Sequence, residues 1–205
     1  MPTNDATSAN PVSLETARLI LRPWLDRDRA PFARMSTDPQ VMAHLLPFAS
    51  PEAVDAWIDR QQTHLETHGF CFWAIESKAD GAFIGAAGLL RVGYEAHFTP
   101  AVEVGWRLDR RFWGQGYAPE AAACAIRFGF EHLELHEIVA NTVPANRNSR
   151  RVMEKLGMSH TAADDFDHPL VPIEHPLRRQ VLYRLPRDRW SGSAARIAQP
   201  DAPPT

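Results

Sequence analysis

The sequence lacks the features that define several classes of protein. Its 205 residues contain no apolar run of about 18 residues, the length a membrane-spanning helix needs. The first residues, MPTNDATSANPVS, contain no basic stretch followed by an apolar core, so no signal peptide is predicted. No run of like charge stands out, and a net charge of −3 argues against nucleic-acid binding through bulk positive charge. We therefore expect a cytoplasmic protein whose partners include neither a membrane nor a nucleic acid.

Cysteine and lysine are both scarce. The two cysteines, Cys71 and Cys124, do not have a metal-ligand spacing, and each lies in an apolar segment. We expect both to be buried free thiols in a reducing compartment. Lysine supplies only two of the 22 basic residues, Lys78 and Lys155, and this bias indicates no particular function.

The length fits one domain with short tails. The polar, proline-containing ends predict disordered tails over residues 1–13 and 191–205 and a single domain over 14–190. Alternation and helical spacing of apolar residues predict the elements between them. The predicted strands cover residues 18–24, 70–77, 82–92, 102–108, 136–143 and 180–185. The predicted helices cover 26–37, a segment that follows an N-cap at Ser50, 119–133 and 146–156.

The order of these elements is mixed, with a hairpin in the middle followed by strand, helix, strand and helix. This order favours an α/β fold of α+β-type layers with a mixed sheet, and it disfavours a doubly wound parallel sheet.

The run RRFWGQGYAPEA, residues 110–121, is the most informative segment for function. Gly114 and Gly116 allow a tight turn and a close approach of backbone to a ligand. Pro119 suits a first helical position, so the turn leads directly into a helix. A helix start has unpaired N–H groups and the positive end of the macrodipole, which together suit a pyrophosphate. An ordinary strand-to-helix turn is the alternative.

This loop does not fit the two common nucleotide-binding patterns. The third glycine of a dinucleotide fingerprint is replaced by Pro119, and no acidic residue closes a strand about 20 residues later. The Gly-Lys-Ser/Thr of a Walker loop is absent, which disfavours a nucleotide-binding regulatory domain. With these two patterns disfavoured, the pyrophosphate of coenzyme A is the ligand that fits the loop.

Three segments together resemble the GNAT N-acetyltransferase superfamily. They are the Arg/Gln-x-x-Gly-x-Gly/Ala loop at 111–116, the preceding strand VEVGWRLD at 102–109, and the block NTVPANRNSRRVMEKLGM at 141–158. Their order, and the opening ETARLILRPW, are similar to the RimJ/RimL-type branch, named for enzymes that acetylate ribosomal-protein N-termini. The resemblance covers about residues 14–186.

The resemblance implies a mixed, mostly antiparallel central sheet flanked by helices, with a splayed strand pair. It also implies acetyl-CoA as co-substrate, no metal, and a pantetheine slot beside strand 102–108, with Gly105 at a bulge. Backbone N–H groups of 112–118 would hold the pyrophosphate. The cofactor-binding residues implied are Val104, Gly105, Trp106, Arg111, Phe112, Trp113, Gly114, Gln115, Gly116, Tyr117, Ala118, Asn141, Asn146 and Arg151. Packing is the alternative role for the two tryptophans, and helix capping is the alternative for Asn146.

Two residues are candidates for proton transfer. The resemblance implies that Ser149 protonates the leaving thiolate, because the helix NSRRVMEKLG has no tyrosine for that step. The attacking amine must be neutral, and a carboxylate can take its proton. Glu103 is the candidate base, since it faces away from Val102 and Val104, beside the expected slot. A solvent-facing strand glutamate is the alternative.

The segment DDFDHPLVPIEHPL, residues 164–177, is not explained by the resemblance. Two His-Pro pairs follow three aspartates. A shaped loop is favoured over a metal site built from Asp165, Asp167, His168 and His175. We expect the loop to line the acceptor pocket and its acidic residues to favour a cationic amine.

The sequence thus predicts an acetyl-CoA-dependent N-acetyltransferase acting on a primary amine in a ternary complex. The partners are a coenzyme A thioester and an acceptor that is either a peptide N-terminus or a small amine such as a polyamine, amino acid or aminoglycoside. A catalytically silent acyl-CoA-binding or sensing module is the alternative, which would lack the base and the acid. A homodimer is compatible with the resemblance.

Overall fold

The computed structural model describes residues 12–190, which form one mixed sheet with helices packed on both of its faces. The described strands are β1 (Leu14–Glu15), β2 (Leu19–Arg22), β3 (Phe72–Ser77), β4 (Phe83–Arg91), β5 (Val102–Leu108), β6 (Glu137–Thr142), β7 (Ser159–His160), β8 (Phe166–Asp167) and β9 (Arg179–Pro186). The described helices are α1 (Asp26–Met35), α2 (Pro51–His68), α3 (Tyr117–Glu131) and α4 (Arg147–Lys155).

The predicted tails, 1–13 and 191–205, lie outside the described residues except for Val12 and Ser13. The indole nitrogen of Trp73 donates a hydrogen bond of 2.9 Å to the carbonyl of Val12, so the chain is already bound to the sheet there. None of the helices within residues 12–190 combines the length and the apolar character that crossing a membrane requires.

The strand order is β1-β2-β3-β4-β5-β6-β9-β7, with β8 paired to β9. All these pairs are antiparallel except β5 with β6, which is parallel, so the predicted mixed and mostly antiparallel sheet is confirmed. The parallel pair meets at one position, Glu103 opposite Val139. Beyond it, residues 104–108 have no strand partner on that side within the described chain, which is the predicted splay.

The two faces of β5 have different surroundings. Val102, Val104 and Leu108 are buried in the main core together with α3 and α4. Glu103 and Arg107 face the other side, where α1 and α2 pack, because side chains alternate along a strand.

Local sequence signals set several boundaries as predicted. Ser50 caps α2 through a hydrogen bond from the backbone N–H of Ala53, 3.3 Å, and Gly157 follows α4 with a φ of +80°. One prediction is wrong by two residues: α3 begins at Tyr117, so Pro119 is the third helical residue instead of the first. Proline is tolerated there because the first N–H groups of a helix have no intrahelical acceptor.

Gly105 does not lie at a bulge, which corrects a second prediction. The register between β4 and β5 is unbroken, with Gly88 opposite Gly105, and the irregularity falls between β3 and β4 instead. A Cβ on Gly105 would lie 2.7 Å from Cζ of Phe72, so the absent side chain makes room for that ring. The two predicted buried thiols, Cys71 and Cys124, are confirmed as free and buried.

Candidate active site

The loop between β5 and α3 uses some of its backbone N–H groups internally. A 3-10 turn over Arg110–Phe112 directs the N–H of Phe112 to the carbonyl of Asp109, 2.9 Å, and that of Trp113 to Arg110, 3.1 Å. Gly114 and Gly116 follow with φ values of +76° and +81°, a conformation that favours glycine.

The next five residues, 114–118, keep their backbone N–H groups unused. None of these groups has a hydrogen-bond acceptor within residues 12–190, and the first bond of the helix start runs from Glu120 to the carbonyl of Gly116, 3.2 Å. They lie at the N-terminus of the 15-residue helix α3, where the macrodipole is positive. The predicted anion-binding site spanned the N–H groups of residues 112–118. Those of Phe112 and Trp113 are used within the loop, so the site has fewer free donors than predicted.

Side chains of the loop bind to the protein itself. Arg111 pairs with Asp109, with 2.8 Å between Nη2 and Oδ2, and these contacts lower the pKa of the Asp109 carboxyl. Gln115 donates to the carbonyl of Arg111, 3.0 Å. Trp113 donates from its indole to the carbonyl of Leu108, 2.9 Å. These side chains thus shape the loop, while its backbone remains available to a ligand.

Arg18, directly before β2, holds the loop from outside, a role that no local sequence signal indicated. It donates to the carbonyl of Gln115, 3.0 Å, and to the buried carboxylate of Glu120, 2.7 Å. Its guanidinium lies 4.5 Å from the ring centroid of Tyr117. Thr16 donates to the same carboxylate, 2.6 Å. The acidic residue in the first turn of α3 therefore joins the loop to the N-terminal strands.

Glu103 lies beside the opening between β5 and β6 and is partly buried. The side-chain amide of Asn141, on β6, donates to Oε2 of Glu103 over 3.0 Å. Burial raises the pKa of Glu103 to about 7, and the hydrogen bond from Asn141 opposes that rise. Strand alternation places Asn141 on the face of Glu103, where it holds the carboxylate. Its predicted role in binding the cofactor stays a prediction.

Tyr94 is a second neighbour that the sequence did not indicate, since it lies in an irregular segment. Its hydroxyl is buried without a hydrogen-bond partner among the described residues. Burial and the charge of Glu103 raise the pKa of Tyr94. Its ring centroid lies 4.3 Å from that of His168 and 6.3 Å from that of Phe166. The unexplained segment 164–177 therefore packs against the residue next to the candidate base.

The three aspartates of that segment are paired with basic residues, whereas Glu174 is exposed, and the preference for a cationic amine stays a prediction. The pairs are Asp164 with Arg184 at 2.9 Å, Asp165 with His160 at 2.7 Å, and Asp167 with Arg179 at 3.4 Å. Within residues 12–190 no group of three or more histidine, cysteine, aspartate or glutamate residues is arranged to hold a metal ion.

Ser149 lies in the first turn of α4. The amide oxygen of Asn146 accepts from the backbone N–H of Ser149, 3.2 Å, which is an N-cap. The amide nitrogen donates to Oγ1 of Thr142, 3.0 Å, and to Oγ of Ser149, 3.1 Å. Asn146 therefore has the capping role. The Ser149 hydroxyl accepts this bond, and its own proton has no acceptor among the described residues.

The two proton-transfer candidates lie on opposite faces of the sheet. Ser149 belongs to α4, on the side of the main core, and Glu103 faces the other side with Asn141. They do not touch, and the opening between β5 and β6 separates them.

The remaining predicted cofactor residues are placed as follows. Trp106 packs against the main core, and Trp113 is 41% exposed. Arg150 donates to Oη of Tyr183, 3.1 Å, whereas Arg151 is exposed and has no ion-pair partner in the described chain. Of these two arginines, Arg151 is the one still available to a phosphate.

Comparison with known proteins agrees with this geometry. Residues 18–159 match the family described as an acetyltransferase (GNAT) domain. The uncharacterized protein YkkB of Bacillus subtilis is 33% identical over 149 residues, covering 72% of this chain and 86% of that protein. The FsC-acetyl coenzyme A-N(2)-transacetylase of Aspergillus fumigatus is 33% identical over 187 residues, covering 87% and 77%. Among solved structures, Mycobacterium smegmatis RimJ in complex with CoA-disulfide has a TM-score of 0.72 at 21% identity, covering 91% and 93%.

Proposed function

The chain belongs to the GNAT acetyltransferase family and is an N-acetyltransferase, and on that premise we propose that it transfers the acetyl group of acetyl-CoA directly to a primary amine in a ternary complex. One observation carries the proposal: the five unused N–H groups of residues 114–118 lie in the loop and helix start that follow β5, the strand whose edge is open beside Glu103.

The site fits a coenzyme A thioester in three places. The unused N–H groups at the start of α3 suit the pyrophosphate. The open edge of β5, residues 104–108, offers backbone groups to the amides of the pantetheine arm, as an added strand would use them. Arg151 is available to the 3′-phosphate. A CoA-disulfide is bound in the RimJ structure, and the A. fumigatus relative is named FsC-acetyl coenzyme A-N(2)-transacetylase.

The proposed reaction is direct attack. The amine nitrogen forms a bond to the thioester carbonyl carbon, and the carbon–sulfur bond then breaks. Glu103 takes a proton from the nitrogen, and Ser149 gives its unused proton to the departing thiolate. A main-chain N–H on the open edge of β5 near Gly105 supports the oxyanion. Because the two groups lie on opposite faces, the amine and the thioester approach the opening from opposite sides of the sheet.

The pKa of Glu103 bears on the kind of amine. A base with a pKa of about 7 is matched more closely to an α-amino group, at about 7.7–8.0, than to a lysine-like amine near 10.4. This match supports a peptide-like or amino-acid-like acceptor, in keeping with the RimJ/RimL-type branch. That branch, a homodimer and a cytoplasmic location remain predictions of the sequence.

A silent acyl-CoA-binding module is the less favoured function. Such a module has no need for a partly buried carboxylate with a pKa near 7 or for a serine hydroxyl whose proton is unused. Transfer chemistry uses groups of both kinds, which supports the transferase over the binding module.

The test is acetyl-CoA-dependent release of thiol with a panel of N-terminal peptides, amino acids, polyamines and aminoglycosides. Glu103→Gln should lower kcat by roughly 10²- to 10⁴-fold with acetyl-CoA binding preserved. Glu95→Gln, a change at an exposed glutamate, is the matched control and should leave kcat unchanged. Tight acetyl-CoA binding with no turnover on any acceptor would favour the silent module, and absence of binding would refute the assignment of the loop.

A further inference from the structure

Arg107 is a partly buried cation that has no anionic partner among residues 12–190. It lies on β5, four residues after Glu103 and on the same face. Its guanidinium carbon lies 5.6 Å from the ring centroid of Phe32, 5.3 Å from Phe48 and 5.5 Å from Trp57. Within residues 12–190 its Nη1 atom is buried and has no hydrogen-bond partner.

The partly buried Arg22 shows how this fold satisfies a comparable charge. Arg22 lies 2.6 Å from a carboxylate oxygen of Asp28 and 2.8 Å from one of Glu76. These hydrogen bonds raise the pKa of Arg22, whereas burial lowers that of Arg107 to about 10. Arg107 is therefore still charged at neutral pH, in a place where a methionine would fill the same space without any cost of desolvation.

The three aromatic rings account for only part of this arrangement. Ring faces attract a guanidinium, which offsets some of the lost hydration. They do not accept the in-plane hydrogen bonds that a guanidinium forms, and a carboxylate accepts those in a matching planar geometry. Nη1 thus has an unmet requirement that a carboxylate would satisfy.

The position of Arg107 relates it to the candidate base. Four residues of strand separate the Cα atoms of Glu103 and Arg107, about 13 Å. Between them Gly105 has no side chain, and the ring of Phe72 lies over it. A ligand with an amine at Glu103 and an anion at Arg107 would lie on this side of β5 and pass over the ring of Phe72.

One of the three aromatic residues around Arg107 does not lie on a helix. Phe48 belongs to the irregular segment 36–50 that joins α1 to α2, whereas Phe32 and Trp57 lie on those helices. Phe48 is partly buried, and Leu46, two residues before it, is 45% exposed. Of the three rings around the guanidinium, Phe48 is thus the one carried by an irregular segment, so a ligand that approaches Arg107 would do so past segment 36–50.

From these observations we propose that Arg107 binds a carboxylate of the acceptor, so that the acceptor is a primary amine with a carboxylate several atoms away. The inference rests on the proposed transfer to an amine and narrows its substrate class. An extended peptide spans about 3.3–3.6 Å per residue, so a tripeptide-sized molecule suits the separation. Polyamines and aminoglycosides, which lack a carboxylate, are poor acceptors on this view.

The experiment compares acceptors that differ only in that carboxylate. Ala-Ala-Ala is compared with its C-terminal amide, and Ala-Glu-Ala-amide with Ala-Gln-Ala-amide, so that the two arms separate a terminal from a side-chain carboxylate. In at least one of these two pairs, the wild-type kcat/KM should be roughly 10- to 100-fold higher for the peptide with the carboxylate than for its uncharged counterpart. Arg107→Met should bring that ratio close to 1, and Arg107→Lys should retain part of it.

The control is Arg60→Met, an exposed arginine on α2, which should keep the wild-type ratio. A ratio near 1 in both arms for the wild type, with turnover present, overturns the carboxylate assignment and leaves the transferase intact. An unchanged ratio in folded Arg107→Met overturns it as well.

A binding measurement separates this inference from the function it rests on. The thermal shift caused by each peptide is recorded without acetyl-CoA. A carboxylate-dependent rise in Tm that is lost in Arg107→Met supports the site even if no peptide is acetylated. Equal shifts for acid and amide in the wild type refute it. If Arg107→Met does not fold, the same comparisons are decided by Arg107→Lys.

Discussion

The side-chain amide of Asn141 donates a hydrogen bond of 3.0 Å to Oε2 of Glu103, which joins β6 to β5 where the two strands begin to separate. This contact favours the ionised carboxylate, while burial favours the protonated one. The balance holds the pKa of Glu103 near 7, where a general base is effective at neutral pH.

The first prediction concerns the pH dependence of the reaction. A base must be ionised, so ionisation of Glu103 should make kcat/KM rise with pH through about 7. Loss of the proton of an α-amino acceptor, with a pKa of about 7.7–8.0, adds a second rise at higher pH. Asn141→Ala removes a bond that lowers the pKa of Glu103, so the first rise should move to higher pH. Profiles of kcat/KM against pH measure this, with Glu95→Gln as a control at an exposed glutamate. A profile of Asn141→Ala that coincides with the wild type would contradict the role of the hydrogen bond.

The same pKa predicts a trend in stability. A carboxyl group whose folded pKa is raised above its ordinary value contributes stability at low pH, and this contribution is lost as pH rises through the folded pKa. Glu103→Gln, which never ionises, should therefore gain stability relative to the wild type between pH 4 and pH 8. Urea denaturation at both pH values tests this. A difference between the two proteins that does not change with pH would show that Glu103 is not buried as described.

Gly114, in the loop before α3, can be compared with Gly81, in the turn between β3 and β4. Gly114 and Gly81 have φ values of +76° and +68°, and a Cβ on either would meet no atom within 4 Å. An alanine at each site should cost about 1–2 kcal/mol of folding free energy through backbone strain alone. Only Gly114→Ala, which lies among the unused N–H groups, should also weaken coenzyme A binding. Calorimetric titration with coenzyme A decides this. Equal affinity in both variants would refute an anion-binding site at the N–H groups of residues 114–118.

Arg18 and Glu120 should act as a pair. Arg18→Met leaves the carboxylate of Glu120 buried with fewer donors, so we expect a loss of about 1–3 kcal/mol in stability and weaker coenzyme A binding. The double variant Arg18→Met/Glu120→Gln should recover stability, because the unpaired charge is gone. It should not recover affinity, since the carbonyl of Gln115 is still released. Recovery of both quantities would show that the arginine acts only through charge.

Variants of Ser149 and Asn146 should show which residue affects the chemical step alone and which also caps α4. Ser149→Ala should lower kcat with little change in Tm, and Ser149→Thr, which keeps a hydroxyl, should restore part of it. Asn146→Ala should lower kcat and also cost about 0.5–2 kcal/mol of stability, because the cap of α4 is lost. Steady-state kinetics and thermal melting measure the two effects. Unchanged kcat in Ser149→Ala would exclude it as the proton donor.

Much of the local structure was predictable because it depends on neighbours in the chain. Alternation placed the strand 102–108 at its observed bounds, and a cap and a glycine marked the helices that begin after Ser50 and end before Gly157. Gly114 and Gly116 marked the turn, since their positive φ values require glycine. The strands β1, β7 and β8 were missed, because two residues have no periodicity to detect.

The sequence by itself therefore determined the longer helices and strands and the glycine turn. Only the tertiary structure decided that Asn141 holds Glu103, that Arg18 holds the loop, and that Nη1 of Arg107 has no hydrogen-bond partner among residues 12–190. The reason is distance along the chain: these contacts join residues far apart in sequence and depend on which strands pair. The parallel meeting of β5 and β6 at Glu103 opposite Val139 is one such pairing, and no local pattern encodes it.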